Sequence, residues 1–275
     1  MNSSHLASVA RGSDTSSPAL ANAVFGEMLN KVPAISLVFW IIKILSTTVG
    51  ETGADYLAVH VGLGTVVTGG VMIALLTSAL VFQLRARRYV PWIYWLTVVL
   101  VSVVGTQITD ALTDGLGISL YASTSAFALA LAAIFAIWYS CERTLSIHSI
   151  TSRRRELFYW AAILFTFALG TAAGDLATEA LGLGFRLGVL TFGGLIALIA
   201  VAYRLGANSV LAFWFAYILT RPLGASLGDL LSQSPTYGGL GMGTINTSIV
   251  FLAVIVALVL FVTFVRTSRP VTSDA

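Results

Sequence analysis

Charge is what this chain has least of. Lys, Arg, Asp and Glu make up 10% of its 275 residues, where a soluble domain carries about 25%. A soluble fold of this length needs far more charge to cover its surface. Cysteine is nearly absent: Cys141 stands alone, which excludes an intrachain disulfide and a thiolate zinc site. His5, His60 and His148 are far apart and share no metal-ligand spacing. Residues 1–30 are rich in Ser and Ala and hold no compact apolar stretch ending in a cleavage site, so they read as a flexible tail and not a signal peptide. A surface helix is conceivable only from Pro18 to Asn30.

What is abundant is hydrophobicity, at 57% of residues and a mean hydropathy of +0.90. Eight apolar segments are long enough to cross a bilayer, near 33–56, 64–84, 90–113, 117–140, 157–180, 185–204, 208–231 and 244–266. Pro33 and Pro91 read as helix starts, and Pro222 as an interior kink. The expected fold is an all-α integral membrane protein with eight transmembrane helices.

Basic residues fall mostly between these segments and alternate in side. Arg11, Lys31, Arg85, Arg87, Arg88, Arg143, Arg153, Arg154, Arg155, Arg204, Arg266 and Arg269 all map to one face of the membrane. Only Arg186 maps to the other, and Lys43 and Arg221 lie within spans. Positive-inside asymmetry therefore predicts both termini in the cytosol. Basic residues scattered between apolar runs form no nucleic-acid-binding face, so nucleic acid is not an expected partner.

One pattern recurs four times at fixed spacing: Trp, then Gly ten residues on, then Asp five residues further. The copies are Trp40, Gly50, Asp55; Trp95, Gly105, Asp110; Trp160, Gly170, Asp175; and Trp214, Gly224, Asp229. Each lies on an odd-numbered span, and a Gly-Leu-Gly turn follows at 62–64, 115–117, 182–184 and 239–241. The chain thus divides into a tail (1–30), repeat 1 (31–86), repeat 2 (87–142), a basic loop (143–156), repeat 3 (157–205), repeat 4 (206–267) and a second tail (268–275). Two spans per repeat give all four copies one orientation, about an axis along the membrane normal. Copies 1 and 3 share a Gly-Gly pair (Gly69-Gly70, Gly193-Gly194), as expected of a hairpin duplicated twice. Each Trp reads as an interfacial residue and each Gly as a point of close helix approach.

Residues three and four apart share a helix face. Seven, eleven, fifteen and nineteen residues after each Trp come Thr47, Glu51, Asp55 and Val59; Ser102, Thr106, Asp110 and Asp114; Phe167, Thr171, Asp175 and Glu179; and Arg221, Ala225, Asp229 and Gln233. Lys43 adds one more charge to the first face, two turns below Glu51. These stripes hold Glu51, Asp55, Asp110, Asp114, Asp175, Glu179 and Asp229, seven of the 12 acidic residues. Charge facing lipid costs several kcal/mol. The stripes should therefore turn inward around an acidic cavity, with the even spans as the lipid-facing wall. Glu51 is expected to pair with Lys43 or Arg221. For the Asp residues, capping the turn or ending the span in water is an alternative role.

The stretch Lys31-Val32-Pro33, Phe39-Trp40-Ile41-Ile42-Lys43, Thr47-Thr48-Val49-Gly50-Glu51-Thr52 and Asp55 resembles a family of bacterial membrane proteins built from four tandem repeats of unknown function, each with two transmembrane segments and a Trp. The resemblance spans all eight segments. It implies the architecture and no activity. Copies 2 to 4 depart from copy 1 at the Lys and Glu positions, which points to specialisation of the first hairpin.

A transporter or channel for a small cation, divalent and proton-coupled in its sharpest form, is the expected function, with Lys43, Thr47 and the seven carboxylates on its path. Hard oxygen ligands would favour Mg, Mn or Ca. The alternatives are transport of an organic or anionic solute held by Lys43 and Arg221, and a non-transporting sensor whose loop from Arg143 to Arg155 docks a partner through Leu145, Ile147 and Ile150. No nucleophile elbow, phosphate loop or metal-His motif is present, so neither an enzyme nor a cofactor is expected. The expected partners are the bilayer, a small ion or solute and, where copies associate, a second copy of the chain.

Overall fold

A computed structural model describes residues 30–60 and 65–267. Tail residues 1–29 and 268–275, with the 18–30 helix expectation, and the first Gly-Leu-Gly turn lie outside the described residues. The fold is helical throughout those described. Eight long helices appear: α1 (Leu37–His60), α2 (Thr65–Arg85), α3 (Pro91–Asp110), α4 (Leu120–Glu142), α5 (Arg153–Asp175), α6 (Gly184–Arg204), α7 (Ser209–Ser232) and α8 (Thr244–Thr267). All eight are long and apolar enough to cross a membrane.

The odd helices form a closed ring in which α1 packs on α3, α3 on α5, α5 on α7 and α7 on α1. Within their spans 56–61% of residues are buried, against 11–22% for the even helices. The even helices thus form the outer wall, as the inward stripes require. Each even helix packs chiefly on the odd helix of the following repeat: α2 on α3, α4 on α5, α6 on α7, and α8 back on α1. A repeat is therefore not a self-contained packed hairpin. Its second helix completes the next unit, and α8 closes the circle.

Some expectations are adjusted. Pro91 does open α3, but Pro33 lies ahead of α1, which starts at Leu37. Helix α7 runs through Pro222, whose ring sits against Gly170 and Gly174; removing both Cβ atoms makes the room the proline needs. Helices α3 and α5 do not stop at their Asp. Each widens into a π turn, at Ala111–Gly115 and Leu176–Ala180, that carries Asp114 and Glu179. The turns that follow need left-handed backbone, supplied by Gly117 (φ 68°) and Gly182 (φ 70°).

Three of the four Trp residues are core residues and not interfacial anchors, while Trp40 is half-buried. Trp95, Trp160 and Trp214 are 2–5% exposed. They pack edge to face with the aromatic residue preceding each of them: Tyr94 on Trp95 at 5.1 Å, Tyr159 on Trp160 at 5.3 Å and Phe213 on Trp214 at 5.2 Å between ring centroids. Phe39 and Trp40 pair likewise at 5.2 Å. The indole N–H of Trp214 donates to the Leu145 carbonyl at 2.9 Å, so that end of the ring is sealed by an aromatic floor.

The basic loop is used in the same way. Ile147 and Ile150 are buried in the core, and the Lys31 amide donates to the Ile150 carbonyl at 3.1 Å. Ile147 and Ile150 serve internal packing, while Leu145 and Ile147 also line an apolar pocket with Ile35 and Trp40. Beside the loop, Lys31 pairs with Glu156 at 2.7 Å, and Gln83 donates to the other Glu156 oxygen at 3.0 Å. This buried cluster ties the segment before α1 to α2 and α5.

Candidate functional site

The ring is assembled by one contact used four times. Ten residues after each Trp, a glycine faces the side chain seven residues after the Trp of the next odd helix. A methyl group on Gly50 would stand 2.5 Å from the Cβ of Ser102; on Gly105, 2.8 Å from that of Phe167; on Gly170, 2.5 Å from that of Arg221; and on Gly224, 2.6 Å from that of Thr47. The fourth contact returns to the first helix. The glycines of the repeat are thus seats for the stripe of the neighbouring repeat, which turns every stripe inward.

Seen along the axis, the stripes stack in layers. Three residues after each Trp lie Lys43, Val98, Ile163 and Tyr217, all at most 1% exposed. Above them Thr47, Ser102, Phe167 and Arg221 are all fully buried. The next layer holds Glu51 at 7%, Thr106 and Thr171 at 0% and Ala225 at 2%. Asp110, Asp175 and Asp229 follow, half-buried, and Asp114 and Glu179 are exposed at the rim. The side chain of Asp55 is outside the described residues; only its place on α1 in the Asp layer is given.

Arg221 joins three helices of the ring. It donates from Nη2 to Glu51 Oε2 at 2.6 Å and to the Thr106 hydroxyl, and from Nη1 to the Thr47 carbonyl at 3.0 Å. Thr47 answers by donating from Oγ1 to the Thr220 carbonyl at 3.1 Å. The expected charge pair therefore forms with Arg221. Lys43 takes no part in it: its ammonium makes no hydrogen bond to a described residue and lies 3.9 Å over the Phe167 ring and 4.2 Å over that of Tyr217. Below, the Tyr94 and Tyr159 hydroxyls share a hydrogen bond of 2.5 Å.

Above Arg221 the charges have one sign. Asp175 is within electrostatic range of Glu51, Glu179, Asp110 and Arg221, and Glu179 within range of Asp114 and Glu51. Five carboxylates thus meet at one end of the ring over a single arginine. Asp229 also lies in the Asp layer and interacts with neighbours. Among the described residues, no three Asp, Glu, His or Cys side chains close on a common point as a metal ion demands.

Two features escape the sequence reading. The aromatic residue before each Trp (Phe39, Tyr94, Tyr159, Phe213) is as regular as the Trp itself, and aligning the four copies one position earlier would find it. The pairing of Lys31 with Glu156 has no local signal, because 125 residues separate them.

A family profile described as Repeat of Unknown Function (DUF347) matches residues 38–89, 93–144, 158–206 and 212–268. Two helices fall in each match. No curated protein and no solved structure matches the chain. With four matches that together cover well over half of its length, the chain belongs to the DUF347 repeat family.

Proposed function

We propose that the protein is a membrane transporter or channel that passes a small cation through the acidic end of the four-helix ring. The observation that carries this reading is the convergence of Glu51, Asp110, Asp114, Asp175 and Glu179 on one end of the bundle, graded from exposed rim to buried base. Ionisable side chains are costly at membrane depth and mark ion paths when they face a bundle interior. A cleft lined by one sign of charge between low-dielectric walls concentrates the opposite ion.

The base of the funnel is a gate in a closed position. The Arg221 guanidinium spans the axis in the layer that also holds Phe167, and the Lys43–Tyr217 layer lies beneath it. Passage requires Glu51 to exchange Arg221 for the arriving cation, so the ion pair is the moving part. Without a three-carboxylate cluster among the described residues, a monovalent ion or a proton handed between carboxylates fits better than a resident divalent ion. The basic residues between the spans support a reading in which the aromatic floor faces the cytosol of a bacterial cytoplasmic membrane, with both termini cytosolic.

Flux through purified protein in proteoliposomes tests this, with H⁺, Na⁺, K⁺, Mg²⁺, Mn²⁺ and Ca²⁺ in turn. Flux in the parent that falls at least tenfold in Asp110→Asn/Asp175→Asn supports the reading, and no flux of any cation removes it. One observation favours a second reading, an organic or anionic solute: Lys43 has no carboxylate partner among the described residues. Uptake of a carboxylate solute that is lost in Lys43→Met and kept in the double Asn variant would select it.

A further inference from the structure

Lys43 is the one charged residue of its layer. Its counterparts in the other copies are Val98, Ile163 and Tyr217, so the layer packs without a charge. Burying an ammonium is expensive unless something replaces its water. Here no carboxylate among the described residues comes within ion-pair distance, and Glu51, two turns up the same helix, is engaged by Arg221. No described acceptor takes a hydrogen bond from Nζ. What holds the ammonium is two aromatic faces, Phe167 at 3.9 Å from α5 and Tyr217 at 4.2 Å from α7.

That arrangement is a recognition site with an occupant attached. Aromatic faces carry negative quadrupole and bind desolvated cations, organic ammonium groups above all. They offer none of the oxygen ligands that a hard inorganic ion needs when it sheds its water. We propose that the Phe167–Tyr217 seat binds a protonated amine and that Lys43 is a tethered occupant which the substrate ammonium displaces. This rests on the cation-path reading above and names its substrate class.

The surroundings fit exchange. An incoming ammonium descends the carboxylate funnel and meets the seat directly below the Arg221–Glu51 pair. Lys43 Nζ already lies over both rings of the seat, so an incoming ammonium can take it only when Lys43 leaves and occupancy is one at a time. The Lys43 stem has four methylenes, through which its head group leaves the seat when the packed layer opens to a competitor. Lys43 then acts as a placeholder that keeps the seat filled between cycles.

The test is uptake of labelled methylammonium into proteoliposomes, measured with K⁺ and Na⁺ flux in the same preparations. The proposal expects saturable methylammonium uptake in the parent. Lys43→Met, which removes the competitor, should lower the half-saturating concentration about tenfold, and Phe167→Leu should raise it about tenfold, the loss of one strong cation–π contact. Direct methylammonium binding to Lys43→Gln in detergent, followed by tryptophan fluorescence, gives the same comparison if the Met variant does not fold. Methylammonium uptake indifferent to both substitutions overturns the seat. Flux of K⁺ or Na⁺ with no methylammonium uptake or binding overturns it too, while the cation path stands. Binding that tightens in Lys43→Gln with no flux of any cation supports the seat and removes transport. No binding and no flux removes both.

Discussion

Gly170 of α5 faces Arg221 of α7 so closely that a methyl group on the glycine would stand 2.5 Å from the arginine Cβ. The same seat recurs between Gly50 and Ser102, Gly105 and Phe167, and Gly224 and Thr47. One small residue per repeat therefore fixes the spacing of the ring and aims four polar stripes at its axis.

Filling a seat should loosen the ring. Gly170→Ala is expected to destabilise the protein by about 1–3 kcal/mol, the usual range for overpacking, read as a lower thermal midpoint in detergent. Gly70→Ala, where nothing lies within 4 Å of the added methyl, should change stability by no more than about 1 kcal/mol and in the favourable direction. Equal effects at the two positions would contradict the seat.

Breaking the buried ion pair on one side should cost more than removing it. Arg221→Met leaves Glu51 uncompensated at 7% exposure and is expected to cost about 3–5 kcal/mol, with Glu51→Gln/Arg221→Met recovering a substantial part. Thermal unfolding of the two variants side by side makes the comparison. A double variant no more stable than the single one would mean that the Thr47 and Thr106 bonds of Arg221, and not its charge pair, hold the three helices.

The cluster at the aromatic end should behave alike but independently. Lys31→Met strands Glu156, which is 1% exposed and keeps only the amide of Gln83. We expect a loss of about 3–5 kcal/mol, partly restored in Lys31→Met/Glu156→Met. Because the two ion pairs share no residue, the losses in Arg221→Met and Lys31→Met should add to within about 0.5 kcal/mol.

How much of this was legible in the sequence depends on the range of the contact. The spans, the repeat and the inward stripes follow from local periodicity, since hydrophobic length and helical spacing are properties of neighbouring residues. The glycine spacing announced close approach, but not that the partner of Gly170 is Arg221, 51 positions on. Nor did it announce that each even helix leaves its own repeat to cover the next. The burial of Trp95, Trp160 and Trp214 was misread because an indole suits a membrane interface and an aromatic core equally well. What decided it was Tyr94, Tyr159 and Phe213 beside them. For the site, the acidic residues were found together with their gradient, and the pair chosen by Glu51 was one of two expected. The isolation of Lys43 was not foreseen, because a side chain's lack of a partner depends on every helix around it.

The claim at the centre of this account is that the acidic end of the ring is a wet, cation-attracting funnel that closes at Arg221. Cysteine accessibility measures it directly. In a Cys141→Ser background, single cysteines replace Asp114, Glu179, Asp110, Asp175, Thr106 and Ser102, and each is reacted with cationic and with anionic methanethiosulfonate reagents. The account predicts fast modification at Asp114→Cys and Glu179→Cys, slower modification at Asp110→Cys and Asp175→Cys, and almost none at Thr106→Cys or Ser102→Cys, with the cationic reagent faster by about tenfold or more wherever modification occurs. Equal rates for the two reagents, or rates that do not fall from rim to base, would contradict it.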